Sequence, residues 1–298
     1  MYPTLIETPF GGVHAWGVLV MLAFLGAFGV LYRRAPTVGI DPDRLVPLMM
    51  VLTGSALLGA RLLHFVFAEP AVLLDNPLAF FSPGQGGWAF YGGLIGGAAG
   101  ALLYARRVGL PPWKLADTVA PTVMLGLAIG RLGCFFAGCC HGAVCPLPAG
   151  PALLRLPYGD ILAVDGFPWV ALRFLPGAGV GALRGEVLYP TQLLEVAFGL
   201  LWFGLLSLAW ARFRRFDGQI LAMMLVLYAA SRAWVETFRG DTLRGLHAIP
   251  GLGMSLSTSQ IVALAMVLTA AGIAAWRGRA GRAPEQPFVA PEGDDAEG

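Results

Sequence analysis

Three arginines lie inside apolar stretches of this sequence, Arg61, Arg131 and Arg232. A guanidinium at the centre of a membrane helix costs roughly 2.5–3.5 kcal/mol on insertion scales, so such residues mark internal pairs or functional sites. Two acids share those stretches, Glu195 and Glu236. Arg232 and Glu236 stand four apart, the spacing at which helical neighbours meet, and Arg61 or Arg131 can pair with Glu195. Pairing alone would make these residues glue. It leaves cationic charge over, because three arginines face two carboxylates. The other chemistry open to them is a buried anion site. A phosphate suits it best, since the planar guanidinium fork engages two oxygens at once. In a membrane the phosphate at hand is a lipid headgroup.

Arg131 stands in the run Gly126-Leu-Ala-Ile-Gly-Arg-Leu-Gly-Cys134-Phe-Phe-Ala-Gly-Cys139-Cys140-His141-Gly142, and Cys145 follows. Its small residues let a backbone or a ligand come close. The spacing C-x4-C-C-x4-C matches none of the usual paired zinc patterns, and adjacent cysteines make poor joint ligands. Small packing residues are therefore the first reading of the cysteines, a disulfide on an outer face the second, and a metal site the third. No metal and no cofactor are expected. A second polar stretch, Tyr189-Pro-Thr-Gln192-Leu-Leu-Glu195, opens another apolar run. Pro190 fits the first turn of a helix, and Gln192 and Glu195 share a face at i,i+3. A third, Trp88-Ala-Phe-Tyr91 followed by Gly92, Gly93, Gly96, Gly97 and Gly100, fits close helix packing and sets Tyr91 near a membrane boundary, where tyrosine is common.

The elements that must carry these residues follow from composition. The chain has 298 residues, 57% hydrophobic and only 13% charged, with a mean hydropathy of +0.69. Soluble domains carry about a quarter charged residues, so the deficit predicts a polytopic membrane protein. A net charge of +2 gives no footing for nucleic acid. About seven apolar runs approach the ~20 residues a bilayer needs: 13–32, 45–67, 88–104, 115–136, 190–211, 219–238 and 256–276. Lipid leaves separate spans no other way to satisfy their backbone than helix, so the expected fold is all-α. One set of connections holds Arg33, Arg34, Arg44, Arg106, Arg107, Lys114, Arg212, Arg214, Arg215, Arg277, Arg279 and Arg282, against Arg155, Arg173, Arg184, Arg239 and Arg244 on the other. That bias predicts the N-terminus outside and the C-terminus cytoplasmic. Residues 1–282 then form one membrane domain with outer loops 68–87 and 137–188, the latter rich in Pro and Gly. The polar tail 283–298 is expected to be disordered. Residues 1–10 lack a basic n-region, so no cleavable signal peptide is expected. No repeat of 20–50 residues is visible, which speaks against a transporter built from inverted repeats.

Taken together, these segments resemble the bacterial prolipoprotein diacylglyceryl transferases, in order, from about His14 to Trp276. His14-Ala-Trp16-Gly is similar to the family's opening of the first span, and Gly59-Ala-Arg61 to its second-span arginine motif. Phe90-Tyr91-Gly-Gly-Leu-Ile-Gly96 resembles the family's His-Gly-Gly-Leu-Ile-Gly segment. Gly130-Arg131-Leu-Gly-Cys134-Phe with Gly138 resembles its signature arginine segment. Tyr189-Pro-Thr-Gln192-Leu-Leu-Glu195 resembles its His-Pro-Ser/Thr-Gln-Leu-Tyr-Glu. The stretch from Tyr228 through Arg232 and Glu236 to Arg239 resembles its Arg-x-x-x-Glu-x-x-Arg pattern, with Asp241 nearby. The resemblance implies transfer of a diacylglyceryl group from phosphatidylglycerol to the lipobox cysteine of a prolipoprotein, within the bacterial inner membrane and among its lipids. It implies that Arg131 and Arg232 hold the donor phosphate and stabilise its departing charge. Glu195 and Glu236 would orient them, Gln192 would bind the headgroup glycerol, Arg239 would serve the outer mouth, and Arg61 and Tyr228 would complete the substrate site.

Two departures from the family pattern bear on the chemistry. The family's favoured thiol base is a histidine where this chain has Tyr91, and a phenol with a pKa near 10 is a poor base at neutral pH. Tyr189 likewise replaces a histidine. Three explanations stay open: Tyr91 relays a proton, His64 or His141 substitutes as the base, or the chain is a divergent paralogue. His64, three residues after Arg61, occupies a place where the family often has Tyr, so a Tyr/His exchange would keep both groups in the site. Cys134 stands where others have Asn. A non-catalytic lipid-binding or transport protein, and a redox sensor built on the cysteines, are the competing functions.

Overall fold

The computed structural model describes residues 4–8, 11–67, 69–70, 72, 76, 80, 89–157, 159–175, 185–239, 246–249 and 254–279. The side chain of Tyr91, most of the loop 68–87 and the tail 283–298 lie outside the described residues. The helices are α1 Ala15–Arg34, α2 Leu45–Phe67, α3 Phe90–Arg107, α4 Pro112–Ala137, α5 Thr191–Arg212, α6 Gln219–Glu236 and α7 Thr258–Arg279. Among the described residues, five stretches are long and apolar enough to cross a membrane: Ala15–Val38, Pro42–Phe67, Pro112–Ala137, Thr191–Arg212 and Thr258–Arg279. α3 and α6 occupy the other two expected places, each with 18 residues. They fall short in apolar length because α3 is rich in glycine and ends on Arg106 and Arg107, and α6 carries Arg232 and Glu236.

The all-α expectation needs one correction. A four-stranded antiparallel sheet, β3 Ala149–Leu156, β4 Gly159–Val164, β5 Val170–Phe174 and β6 Val187–Leu188, fills much of what the sequence presents as the loop 137–188. Two hairpins, β1 Thr4–Thr8 with β2 Gly11–His14 and β7 Leu246–Ile249 with β8 Met254–Ser257, precede α1 and α7. The Pro/Gly punctuation that reads as loop marks the turns between short strands. The sheet has its own apolar side: Leu172, Phe174 and Leu188 pack with Phe135 from the end of α4, and Leu193 from the start of α5 joins them. The sheet is thereby fixed to the helix ends that hold the polar residues.

By packing, the described residues form two compact units, one from 4–31 with 116–279 and the other from 32–115. In the second, α2 and α3 pack backbone against backbone. A Cβ added at Gly92 would overlap the carbonyl oxygen of Gly59, and one at Gly96 the carbonyl oxygen of Ser55. The small-residue interface typical of lipid-embedded helices is thus the reason for the glycine run after Tyr91. Arg61 lies in this unit, 3% exposed. Its Nε donates to the carbonyl of Phe80 at 3.0 Å, and its guanidinium lies 5.0 Å from the centre of the Phe65 ring.

In the first unit α1 runs along α4, with Gly133 against Trp16 and Leu19 and Gly126 facing Ala23 and Ala27. α4 and α5 meet at Gly199, where an added Cβ would come within 2.9 Å of the Ala128 methyl and 3.0 Å of the Met124 carbonyl oxygen. Asp117, near the start of α4, is fully buried. Its carboxylate accepts the N–H groups of Gly218 at 2.8 Å and Leu221 at 3.0 Å. It therefore caps the start of α6 from another helix, satisfying donors no residue of α6 itself reaches. Alanine at Gly92 should lower stability by about 1–3 kcal/mol, the usual penalty of overpacking. Alanine at Gly54, where an added Cβ meets nothing within 4 Å, should be neutral. Thermal unfolding of both variants in detergent checks this.

Candidate active site

The tight crossing at Gly199 sets the geometry of the charged residues. α4 and α5 run antiparallel, so one turn beyond Ala128 on α4 lies opposite one turn before Gly199 on α5. Those positions are Arg131 and Glu195. Arg131 Nε is 2.7 Å from Glu195 Oε2, with side chains only 17% and 6% exposed. α6 brings the second arginine. Trp202 Nε1 donates to Ser231 Oγ at 3.2 Å, which holds α5 and α6 in register, and Arg232 Nε then lies 3.9 Å from Glu195 Oε1. Arg232 Nη1 is 2.8 Å from Glu236 Oε2, the i,i+4 pair the spacing predicts. Both atoms sit in contact but without hydrogen-bond alignment. Arg239 follows α6, its N–H donating to Glu236 O at 3.2 Å, and Arg131, Arg232 and Arg239 all act electrostatically on Glu195.

Ser259 is a partner that sequence reasoning missed. Arg232 Nη2 donates to its Oγ at 3.0 Å. Ser259 is placed by a capping box at the start of α7: the Ser257 N–H donates to Gln260 Oε1 at 3.0 Å and the Gln260 N–H to Ser257 Oγ at 3.2 Å. The signal was legible as Ser-x-x-Gln ahead of an apolar run.

The stretch after α4 is stitched across the cluster. Gln192 Nε2 donates to Cys139 O at 2.7 Å and Thr191 Oγ1 to Cys140 O at 2.8 Å. Gly142 N–H donates to Tyr189 O at 3.0 Å and Ala143 N–H to Phe238 O at 2.8 Å. Tyr189, in the place of the family's second histidine, serves this frame with its backbone. Gln192 is fully buried, and its Oε1 meets no hydrogen-bond donor among the described residues. Buried polar atoms without partners are rare, so this oxygen marks a place for a donor such as a hydroxyl. Tyr228, Glu195 and Arg232 line a small cleft with Phe198, Trp202 and Ser231, and its free space is only about 10 Å³. That is room for one water at most.

Not every expected residue joins this set. Arg61, His64 and Tyr91 belong to the other unit. His64 Nε2 there lies 3.9 Å from Glu69 Oε2. His141 is turned onto the sheet, its ring 5.7 Å from that of Phe174 and its Nδ1 3.0 Å from Gly142 O. All four cysteines are unbridged thiols. The Cys140 thiol is held below the ordinary range, first by hydrogen bonds from Cys134 and Cys139 and then by the charges of Arg131 and Arg239.

A largely buried, ion-paired arginine cluster on helices that belong in lipid suits an anionic headgroup, and the comparison with known proteins agrees. The sequence profile of the prolipoprotein diacylglyceryl transferases matches residues 3–276. The chain belongs to that family. Similar proteins include the phosphatidylglycerol–prolipoprotein diacylglyceryl transferases of Clostridium tetani, 28% identical over 90% of this chain and 94% of the relative. Those of Proteus mirabilis, 31% identical over 92% and 91%, and Chromohalobacter salexigens, 32% over 90% and 89%, are also similar. Removing Glu195 alone would leave a buried guanidinium unpaired, a loss of about 3–5 kcal/mol. Glu195→Ala should therefore be strongly destabilised, and Arg131→Met with Glu195→Leu together should recover part of that loss while remaining inactive. Denaturation midpoints of the two proteins decide it.

Proposed function

We infer that this chain transfers the diacylglyceryl group of phosphatidylglycerol to the lipobox cysteine of prolipoproteins, the first step of lipoprotein maturation. Family membership over nearly the whole chain supports the reaction, and the observation that ties it to residues is the Arg131–Glu195–Arg232–Glu236 cluster. The precursor's thiolate attacks C3 of the diacylglycerol unit. A carbon–sulfur bond forms, the carbon–oxygen bond to the phosphate breaks, and glycerol phosphate leaves with the electron pair.

Arg131 and Arg232 receive the phosphate. Both already have a carboxylate partner, so the lipid phosphodiester binds by exchange, taking guanidinium donors from Glu195 and Glu236 without leaving a cation bare. Charge then builds on the departing phosphate in a low-dielectric site, where fixed donors stabilise it most. Gln192 Oε1 accepts from a hydroxyl of the headgroup glycerol. Tyr228 and Arg239 frame the donor, Arg239 from the outer mouth, and Arg61 completes the substrate site. The thiol's proton goes to His64, the imidazole on α2 in a chain that has Tyr91 where the family has its usual base. The carboxylate of Glu69 orients that ring.

α3 and α6 complete seven crossings of a bacterial inner membrane, with the N-terminus outside and the C-terminus cytoplasmic, in keeping with the arginine bias of the connections. The sheet and the Cys139–Gly142 stretch then face outward, on the side where a prolipoprotein cysteine arrives. Complementation of a transferase-depleted bacterium, with lipidation of a lipobox peptide in phosphatidylglycerol vesicles, tests the reading. Arg131→Ala and Arg232→Ala should each lower the rate by at least about 10²-fold, while Cys139→Ala stays close to the unsubstituted rate. In the same vesicles His64→Ala should lose most activity, and an unchanged rate would remove His64 as the base. A chain that lipidates no lipobox peptide in such vesicles would refute the assignment.

A further inference from the structure

The three thiols beside Arg131 are brought together by a helix cap. α4 ends in a Schellman motif: Gly138 is left-handed at φ 77°, its N–H donates to Phe135 O at 3.2 Å, and the Cys139 N–H donates to Cys134 O at 3.1 Å. In this motif the residue after the glycine folds back onto the residue five positions earlier, and their side chains meet. Here those side chains are both thiols, Cys139 and Cys134. Cys140 is itself left-handed at φ 59°, a conformation uncommon for a residue with a Cβ and one that gathers at functional sites. It turns the adjacent thiol into the same group. The three Sγ atoms all lie within 4.8 Å of one another.

We propose that Cys134, Cys139 and Cys140 form a three-thiolate site for a soft d10 cation, with Cu(I) as the ion it fits, and that the bound ion inhibits the transferase. Metal–sulfur bonds of about 2.3 Å arranged in a trigonal plane put sulfurs about 4 Å apart, which needs only a small contraction of this cluster. Thiolate ligands select Cu(I) among the common first-row ions. His141 is held by the sheet and no fourth ligand joins the three thiols among the described residues, so a three-coordinate ion is favoured over tetrahedral zinc. Cys139 is exposed, giving the ion a way in. Binding exchanges protons for metal: three thiols and one Cu(I) give a trithiolate complex of charge −2 and three protons. That anionic centre forms beside Arg131 and Arg239, whose charges already reach Cys140. It engages the guanidiniums that a lipid phosphate must use. The inhibitory half rests on the transferase reading, and the binding half does not.

The test uses the full chain in detergent, reduced and without oxygen, with Cu(I) supplied from a bathocuproine disulfonate buffer. One Cu(I) per chain should be withdrawn from the buffer, with thiolate-to-metal absorbance in the near ultraviolet. Cys139→Ser and Cys140→Ser should each weaken binding by more than the roughly 10–100-fold that an outer-shell partner alone is worth. Cys145→Ser, which removes the cysteine outside the cluster, should bind as the unsubstituted chain does. Gly138→Ala, which keeps every thiol but strains the cap, should weaken binding too. In vesicles, one equivalent of Cu(I) should suppress lipidation by the unsubstituted chain and spare Cys139→Ser relative to its own untreated rate. Uptake no greater than that of the triple serine variant overturns the proposal. So does tighter binding of zinc than of Cu(I), or a Cys134–Cys139 disulfide in protein isolated from the membrane. Uptake without inhibition retains the metal site and overturns its regulatory role. An inactive chain that still binds one Cu(I) separates failure of the transferase reading from failure of this one.

Discussion

A guanidinium in lipid must be paired or it does not stay there, and this bundle is arranged around two that are. Arg131 and Arg232 share Glu195, and Arg232 also holds Glu236. Everything close to them serves that sharing. Gly199 lets α4 and α5 approach until Arg131 meets Glu195. Trp202 and Ser231 fix the register of α6. The capping box of α7 presents Ser259 to the last free edge of Arg232. Ion pairs of this sort add little net stability over an apolar core, because desolvation consumes most of the attraction. Their persistence is better explained by what the charges are for than by what they hold up.

The charged residues were the most legible part of the chain. Their depth in apolar runs is costly enough to stand out without any structure, and the i,i+4 spacing of Arg232 and Glu236 was sufficient to pair them. What was not legible was the choice among partners. Glu195 could be assigned to Arg61 or to Arg131 on sequence alone, and only the crossing at Gly199 decides for Arg131. Arg61 instead spends its Nε on the carbonyl of Phe80 and its face on the ring of Phe65. The Phe65 contact is an ordinary i,i+4 neighbour, while the Phe80 partner is backbone in a different element and has no periodic signature.

The sheet was missed for a related reason. Its strands are short, the last has two residues, and proline and glycine between them suppress any alternating pattern in a long window. Asp160-Ile-Leu-Ala-Val and Val170-Ala-Leu-Arg-Phe carry the strand preference once the turns around them are recognised. The cysteines look different along the chain and across the fold. Sequence spacing measures them along the chain, where C-x4-C-C matches no familiar ligand set. A Schellman cap folds the chain back on itself at Gly138, so the relevant distance is across the cap. A glycine one residue before Cys139 and four after Cys134 was the available signal.

The free space of about 10 Å³ at the cluster bears on how a charged lipid can be admitted. A preformed cavity large enough for a phosphodiester would hold bare guanidiniums in an apolar surround, a state the insertion cost of arginine forbids. Closing the site with carboxylates avoids that cost while keeping the donors oriented. A lipid phosphate can offer two oxygens to one guanidinium as a carboxylate does, so in the proposed exchange each arginine keeps an anionic partner. Once the phosphate holds the arginines, Glu195 and Glu236 are the groups left without full partners. On the proposed reaction, departure of glycerol phosphate restores them and couples product release to re-pairing of the bundle's own charges.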